Sequence, residues 1–203
     1  MSKEGPSAVE VTPRWGNQWV SVDKVTYQDT NGFIHDYELI RIPSYTAVLP
    51  FRHGRDSTIE VILLRNFRAA SGWVLEACKG IGINFHEVAE HELNEETGLQ
   101  IGAIRAITPL YQVMPMPDRG VSELPEAYKT AKPFVCQLCL AEIKANYEPG
   151  EQNLEDEECI EIIGWISLKQ AEQMMVDLIK AHEPIDPYTR LLLLELRAKF
   201  PLG

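Results

Sequence analysis

The sequence predicts an α/β (α+β) protein with a small antiparallel β extension at its N-terminal end. Residues 19–27 and 33–42 both alternate apolar and polar side chains, and an Asn-Gly pair at 31–32 separates them. Such a pair between two alternating segments is a strong signal for a β-hairpin. Helical patterns come later in the chain. We therefore expect a tail and hairpin over residues 1–44 and an α/β body over residues 45–203.

The body is predicted to mix strands with three helices. Strands are expected at residues 45–51, 59–64, 73–77, 102–114, 132–142 and 160–166. The central helix should begin at Asn84, with Glu87 as a capping-box partner, and end before Gly98. Ser167 is expected to cap a second helix, and Pro187 to open a third. Residues 1–14 are expected to be a loose tail and residues 79–82 a glycine-rich loop.

Composition is typical of a soluble globular protein. The formal net charge of the 203-residue chain is −11, which disfavours nucleic acids and anionic membranes as partners. Its longest apolar run covers residues 191–194, and no basic-then-apolar segment predicts a signal peptide. Four cysteines without such a signal favour free thiols and a cytoplasmic protein. A phosphate substrate would need local cations, for which the candidates are Arg41, Arg52, Arg55, Arg65, Arg68 and Arg119.

Three glutamates lie on one side of the predicted central helix. Glu92 and Glu96 are four residues apart, and Glu95 borders the same face. Like charges at this spacing repel by roughly a few tenths of a kcal/mol in water. A solvated helix face tolerates that repulsion, whereas a bound magnesium ion would make use of it. Spacing alone therefore leaves a solvated acidic face and a metal site both open.

The segment from His91 to Leu99 resembles the second half of the Nudix box. That box reads Gly, five residues, Glu, seven residues, Arg-Glu, an apolar residue, any residue, Glu-Glu, any residue, Gly, an apolar residue. Two segments that precede it, residues 64–68 and 75–77, are similar to ADP-ribose pyrophosphatases. So is the acidic loop at residues 146–158, which comes before residues 160–165. The resemblance extends over roughly residues 19–200. It implies a Nudix-type α/β/α sandwich with a mixed sheet.

The first half of the box departs from the family pattern. His91 stands where the family has arginine, Ile83 where it has glutamate, and Ala77 where it has glycine. If Gly80 is the box glycine, the loop is about three residues shorter than the pattern. Histidine is shorter than arginine and mostly neutral at pH 7, so it should support the neighbouring glutamates less. An active enzyme is therefore expected to be slow or unusual in its use of metal.

The resemblance implies magnesium-dependent hydrolysis of a nucleoside diphosphate derivative, with ADP-ribose cleaved to AMP and ribose 5-phosphate as the first expectation. Glu92, Glu95 and Glu96 would hold Mg²⁺, for which Mn²⁺ is a possible substitute. The base that activates water would come from the acidic loop, with Glu157 and Glu158 as the expected residues and Glu155 and Asp156 beside them. A homodimer formed through residues 19–42 is also implied.

Three further residues are predicted to contact the substrate. Arg65 and Arg68 would bind the diphosphate, because a guanidinium group matches two phosphate oxygens. Glu76 is interpreted as a metal or ribose contact, or as a salt-bridge partner. Two other functions stay open. One is a Nudix-fold binding or regulatory domain with little turnover, which His91 and the short loop favour, and the other is a hydrolase of a different nucleotide sugar.

Overall fold

A computed structural model describes residues 7–16, 20–41, 43–82, 84–113, 135–155 and 158–201. These residues form two compact units, one built mainly from residues 7–44 and the other from residues 45–112 and 137–201. The fold prediction is confirmed at the level of class, because the chain combines a three-stranded antiparallel sheet, a seven-stranded mixed sheet and helices.

The N-terminal unit is an antiparallel sheet in the order β1-β2-β3, with β1 at Ser7–Gly16, β2 at Ser21–Gln28 and β3 at Ile34–Arg41. The predicted hairpin is confirmed: β2 pairs with β3, and Gly32 takes the turn with a φ of 87°. The expectation of a loose tail over residues 1–14 is wrong for its second half. β1 pairs along its whole length with β2, in a register interrupted by two bulges.

The larger sheet has the strand order β10-β5-β4-β9-β8, with β6 paired to β5 and β7 paired to β4. Its strands are β4 (Tyr45–His53), β5 (Ile59–Arg68), β6 (Gly72–Glu76), β7 (Cys78–Ile81), β8 (Ile104–Val113), β9 (Cys136–Ile143) and β10 (Ile160–Ser167). The central strands are buried on both faces, as expected for a sheet covered by helices on two sides.

Strands β6 and β7 correct the prediction of a glycine-rich loop at residues 79–82. β4 and β5 pair only at one end, through Phe51–His53 and Ile59–Val61. Beyond that point β5 pairs with β6 and β4 pairs with β7, so residues 72–81 lie in the opening between β4 and β5. The glycine at position 80 therefore lies inside a paired strand.

The described residues form three α-helices of 13 residues: α1 (Phe85–Thr97), α2 (Leu168–Lys180) and α3 (Pro187–Lys199). The boundaries of α1 are as predicted, with Gly98 ending it in the left-handed conformation. The predicted capping box at its start is wrong, because the Asn84 side chain makes no capping hydrogen bond. Ser167 and Asp186 do cap the other two helices through their side chains.

The helices cover the sheet and close its core. Helix α1 packs on β4, β7 and β10, while α2 and α3 pack on β4, β5, β6 and β10. Ile62 and Leu64 belong to the core under α1, so the alternating Leu63 faces the opposite side of the sheet. None of the helices in the described part of the chain is long and apolar enough to cross a membrane.

Candidate functional site

Helix α1 presents the three predicted glutamates because its apolar residues fix its rotation on the sheet. Ala89 and Leu93, four residues apart, are fully buried in the core. The same rotation brings Glu92 and Glu96 to the side of the helix that borders β7, and Glu95 lies close enough to Glu92 for its charge to raise the Glu92 pKa. Their exposure differs: the side chains of Glu92 and Glu95 are 15% and 13% exposed, and Glu96 as a residue only 3%. The structure thus brings all three carboxylates into one partly buried place.

Strand β7 forms the wall of this site. A Cβ atom at Gly80 would overlap the side chain of Glu92, so only glycine permits this close approach. One residue earlier, the Lys79 backbone N–H donates to Oε2 of Glu96 at 3.2 Å. The backbone of β7 therefore shapes the position of two of the three carboxylates. This role depends on strand pairing, which the glycine-rich sequence of residues 79–82 does not indicate.

The three carboxylates hold more negative charge than their surroundings compensate. Burial and the charge of Glu95 raise the pKa of Glu92 to about 7. Burial and the charge of Glu92 raise the pKa of Glu96 well above its usual range. Burial also raises the pKa of Glu95, although His91 opposes the shift. A nearby cation would stabilise the ionised form of these carboxylates and lower their pKa values.

The acidic loop is held against the C-terminal end of α1. The backbone N–H groups of Gly150 and Asn153 donate to the carbonyls of Thr97 and Glu95, and the Gln152 amide donates to the Glu96 carbonyl at 2.7 Å. The last carbonyls of a helix have no partner within the helix. Here the loop supplies those partners, so the loop and the glutamate-bearing turn are joined by direct hydrogen bonds.

Glu158 lies close enough to this cluster to act on it electrostatically. Beyond burial, its charge contributes to the raised pKa values of Glu92, Glu95 and Glu96. Its carboxylate also accepts from the Glu155 N–H at 3.3 Å. The other candidates of the loop, Asp156 and Glu157, lie outside the described residues, as does Ile83.

His91 is in contact with two of the glutamates. Its Nδ1 lies 3.1 Å from Oε2 of Glu95 and 3.6 Å from Oε1 of Glu92, while 70% of its side chain remains exposed. Among the described residues, His91, Glu92 and Glu95 form a group whose potential ligand atoms all lie within 4.8 Å of one another. Glu96 is not part of that group.

Arg68 and Glu76, both predicted to contact the substrate, are bound to each other. Nε and Nη2 of Arg68 donate to the two carboxylate oxygens of Glu76 at 3.0 and 2.6 Å. Glu76 is buried, and Lys79 Nζ is 3.7 Å from it and 3.2 Å from Oδ1 of Asp186, the N-cap of α3. Of the alternatives for Glu76, the salt bridge is the contact that exists here.

The other candidate arginines occupy different positions. Arg65 is about half exposed and 3.7 Å from Glu183, a separation at which a surface ion pair is worth about 0–1 kcal/mol. Arg52 is buried, pairs with Glu60 at 2.7 Å and donates to the Tyr147 carbonyl, so it anchors the start of the acidic loop. Arg55 is exposed. The Arg41 side chain and the whole of Arg119 lie outside the described residues.

The donor set suits a divalent cation. Glu92 packs on a strand backbone that leaves no room for a Cβ atom, and burial together with the charge of neighbouring glutamates raises the pKa of Glu92 and of Glu96. Hard divalent ions prefer such oxygen donors. The chemistry of the residues present therefore fits the metal that the family resemblance implies.

The raised pKa of Glu92 has a testable consequence for stability. Because this pKa is about 7 in the folded protein and 4.5 ordinarily, the folded state retains a proton that the unfolded state releases. The stabilisation is fully present below about pH 4.5 and is lost as pH rises through about 7. We expect urea denaturation of metal-free protein to give a free energy of unfolding that falls over this range. The fall should be smaller in Glu92→Gln, and an equal fall in both proteins would contradict the assignment.

Comparison with known structures identifies the fold. No protein-family model matches the sequence, and no curated protein matches it. A solved structure described as an ADP compounds hydrolase aligns with a TM-score of 0.62 and 19% identity, over 98% of this chain and 96% of that chain. The Nudix hydrolase RenU from M. smegmatis aligns with a TM-score of 0.50 and 15% identity, over 93% and 99%. The chain therefore has the Nudix fold, as the resemblance of residues 91–99 implied.

Proposed function

We propose that this protein is a magnesium-dependent hydrolase that cleaves the diphosphate bond of a nucleoside diphosphate derivative, with ADP-ribose as its first candidate substrate. The observation that carries the proposal is the gathering of Glu92, Glu95 and Glu96 on α1, at the point where the fold brings together β7 and the acidic loop. A solvated acidic face would not be 85% or more shielded, as these side chains are, nor have raised pKa values. A solvated acidic helix face therefore does not explain the burial of these carboxylates.

The glutamates would hold Mg²⁺, or Mn²⁺ in its place, against the diphosphate. When bound, such an ion neutralises charge on the phosphate oxygens and makes a water molecule more acidic. Glu92 and Glu95 offer partly exposed oxygens for this purpose. Glu96 is more deeply placed, and its bond from the Lys79 N–H orients the carboxylate.

The acidic loop would supply the base that takes the proton of the attacking water. Glu158 is the candidate within the described residues, because its charge already influences all three helix glutamates. Glu157 remains a candidate from the family resemblance alone. The hydrogen bonds from residues 150–153 to α1 hold that part of the loop against the helix that carries the glutamates.

Arg68 would bind a phosphate group, with Glu76 as the residue that positions it. The bidentate pair fixes the plane of the guanidinium, and about 45% of the Arg68 side chain is exposed to an approaching anion. Arg65 is a second candidate, since its contact with Glu183 is long. Neither residue is expected to take part in proton transfer.

An ADP-containing substrate is favoured over other nucleotide sugars by one neighbour. The structure with the larger TM-score is described as an ADP compounds hydrolase, and it spans nearly all of both chains. The test is a panel of ADP-ribose and nucleotide sugars with other bases, each incubated with Mg²⁺ and analysed for nucleoside monophosphate. We expect ADP-ribose to be cleaved fastest. If another nucleotide sugar is cleaved faster, the proposed reaction stands and the proposed substrate is wrong. If no compound of the panel is cleaved, a binding domain is favoured over an enzyme.

We also propose a homodimer that uses the N-terminal sheet. Trp15, Phe33 and Ile34 of this unit are each more than half exposed, which is costly for large apolar side chains that remain in water. Light scattering at micromolar concentration should give twice the chain mass of 23.0 kDa. Phe33→Ser should weaken association more than Ile101→Ser, which removes an equally exposed residue of the other unit. A clean monomer would contradict the proposal.

A further inference from the structure

His91 contacts two of the site glutamates, at separations that suit a shared metal ligand as well as an ion pair. Its Nδ1 is 3.1 Å from one carboxylate oxygen of Glu95 and 3.6 Å from one of Glu92. Two donors bound to one ion at about 2.1 Å lie roughly 3.0–3.4 Å apart in octahedral or tetrahedral geometry. Both separations are within a few tenths of an ångström of that value. Since the ligand atoms of all three residues lie within 4.8 Å of one another, a single ion could be bound by the three together after adjustment of their side chains.

The helix geometry favours this set. His91 and Glu95 are four residues apart, the spacing by which a helix presents two ligands to one ion. Glu92 completes the set from the same turn, and the packing of its side chain on Gly80 limits where its carboxylate can go. Because 70% of the His91 side chain is exposed, an ion has access from solvent.

Histidine at position 91 can bind a metal ion, whereas the arginine of the family pattern cannot. Arginine has five N–H donors and no lone pair, so it cannot bind a cation. Neutral imidazole has one such lone pair and is a common metal ligand. The histidine at position 91 therefore adds a nitrogen donor to a site that otherwise has oxygen donors only.

We propose that His91, Glu92 and Glu95 bind one metal ion together and that the site prefers an imidazole-binding ion such as Co²⁺ or Zn²⁺ to Mg²⁺. The inference rests on the proposed metal site of the hydrolase and specifies its selectivity. Imidazole suits zinc, iron, nickel and copper, whereas magnesium retains water and oxygen ligands. Histidine gives the neighbouring glutamates less positive charge than arginine would, but it adds a nitrogen ligand for the metal ion.

The test measures binding of Co²⁺ and of Mg²⁺ separately by isothermal titration calorimetry on the full chain. His91→Arg should weaken Co²⁺ binding about ten-fold or more, because it removes a ligand. The same substitution should leave Mg²⁺ binding within about two-fold of wild type or improve it, because arginine adds positive charge beside the carboxylates. The matched control is His86→Gln, an exposed histidine of the same helix, which should change neither affinity.

A spectroscopic measurement tests whether His91 is a metal ligand without relying on the affinities for Co²⁺ and Mg²⁺. In the Co²⁺-loaded wild type and in His86→Gln, proton NMR should show ring resonances of one histidine shifted far outside the normal range, and His91→Gln should lack them. Equal changes of both affinities in His91→Arg, or unchanged histidine resonances in His91→Gln, would overturn the inference while leaving the hydrolase proposal intact. Failure of the wild type to bind either ion would overturn both.

Discussion

Glu92→Gln and Glu96→Gln are each expected to lower magnesium-dependent hydrolysis by about 10³-fold or more. Loss of a metal ligand removes several kcal/mol of stabilisation from the transition state, and each 1.36 kcal/mol corresponds to about ten-fold in rate. Glutamine keeps the shape of the side chain, and in Glu96→Gln its carbonyl oxygen can still accept the hydrogen bond from Lys79. The measurement is steady-state turnover, together with a thermal melt of each variant.

The melts separate loss of the site from loss of the fold. Removing one of several repelling carboxylates should leave the metal-free protein as stable as wild type or more stable, because the raised pKa values reflect repulsion and burial. Glu87→Gln is the control, since Glu87 is an exposed carboxylate in the first turn of the same helix. If both site variants kept wild-type turnover, the metal site would have to be elsewhere.

Gly80→Ala is expected to reduce activity by on the order of 10²-fold or more, through misplacement of Glu92. The added Cβ atom would overlap the Glu92 side chain from its carboxylate back to Cγ, so that side chain must leave its position. The backbone at Gly80 has no positive φ, so the substitution adds no backbone strain. Calorimetry with Mg²⁺ should therefore give a large loss of affinity with a much smaller change in melting temperature.

Gly102→Ala is a matched control for this substitution. The nearest atom to a Cβ at Gly102 is the Tyr147 hydroxyl oxygen at 3.9 Å, so the methyl group fits without a shift. This variant should bind Mg²⁺ and turn over substrate like wild type. If Gly80→Ala retained full affinity and activity, Glu92 would not be needed in its present position, and the role assigned to β7 would be wrong.

The sequence predicted the helix of the site well because its signals are local. Asn84 and Gly98 mark the two ends of α1, and the spacing of Glu92, Glu95 and Glu96 follows directly from the helical period. β1 was missed because its residues Ser7–Gly16 include a proline and bulged positions, so alternation is weak and pairing with β2 provides the order. β7 was missed because glycine favours loops on average.

The contacts around the site could not be predicted because they depend on strand register and on distant segments. Leu64 pairs with Glu76 and Arg68 pairs with Gly72, so the Arg68 side chain meets the Glu76 carboxylate by extending along the two paired strands. The docking of the acidic loop on α1 depends mostly on backbone groups, which have no sequence signature. The edge-to-face contact between the rings of Phe67 and Trp73 likewise depends on the register of β5 and β6, in which the two residues are partners.

Formation of AMP from ADP-ribose, with and without Mg²⁺, tests the central claim most directly. The account predicts AMP and ribose 5-phosphate in equal amounts from wild-type protein with Mg²⁺, and none above background after chelation or with Glu92→Gln. Product formation that is the same in Glu92→Gln, or that survives removal of all divalent ions, would contradict the claim that the glutamates of α1 hold the catalytic metal.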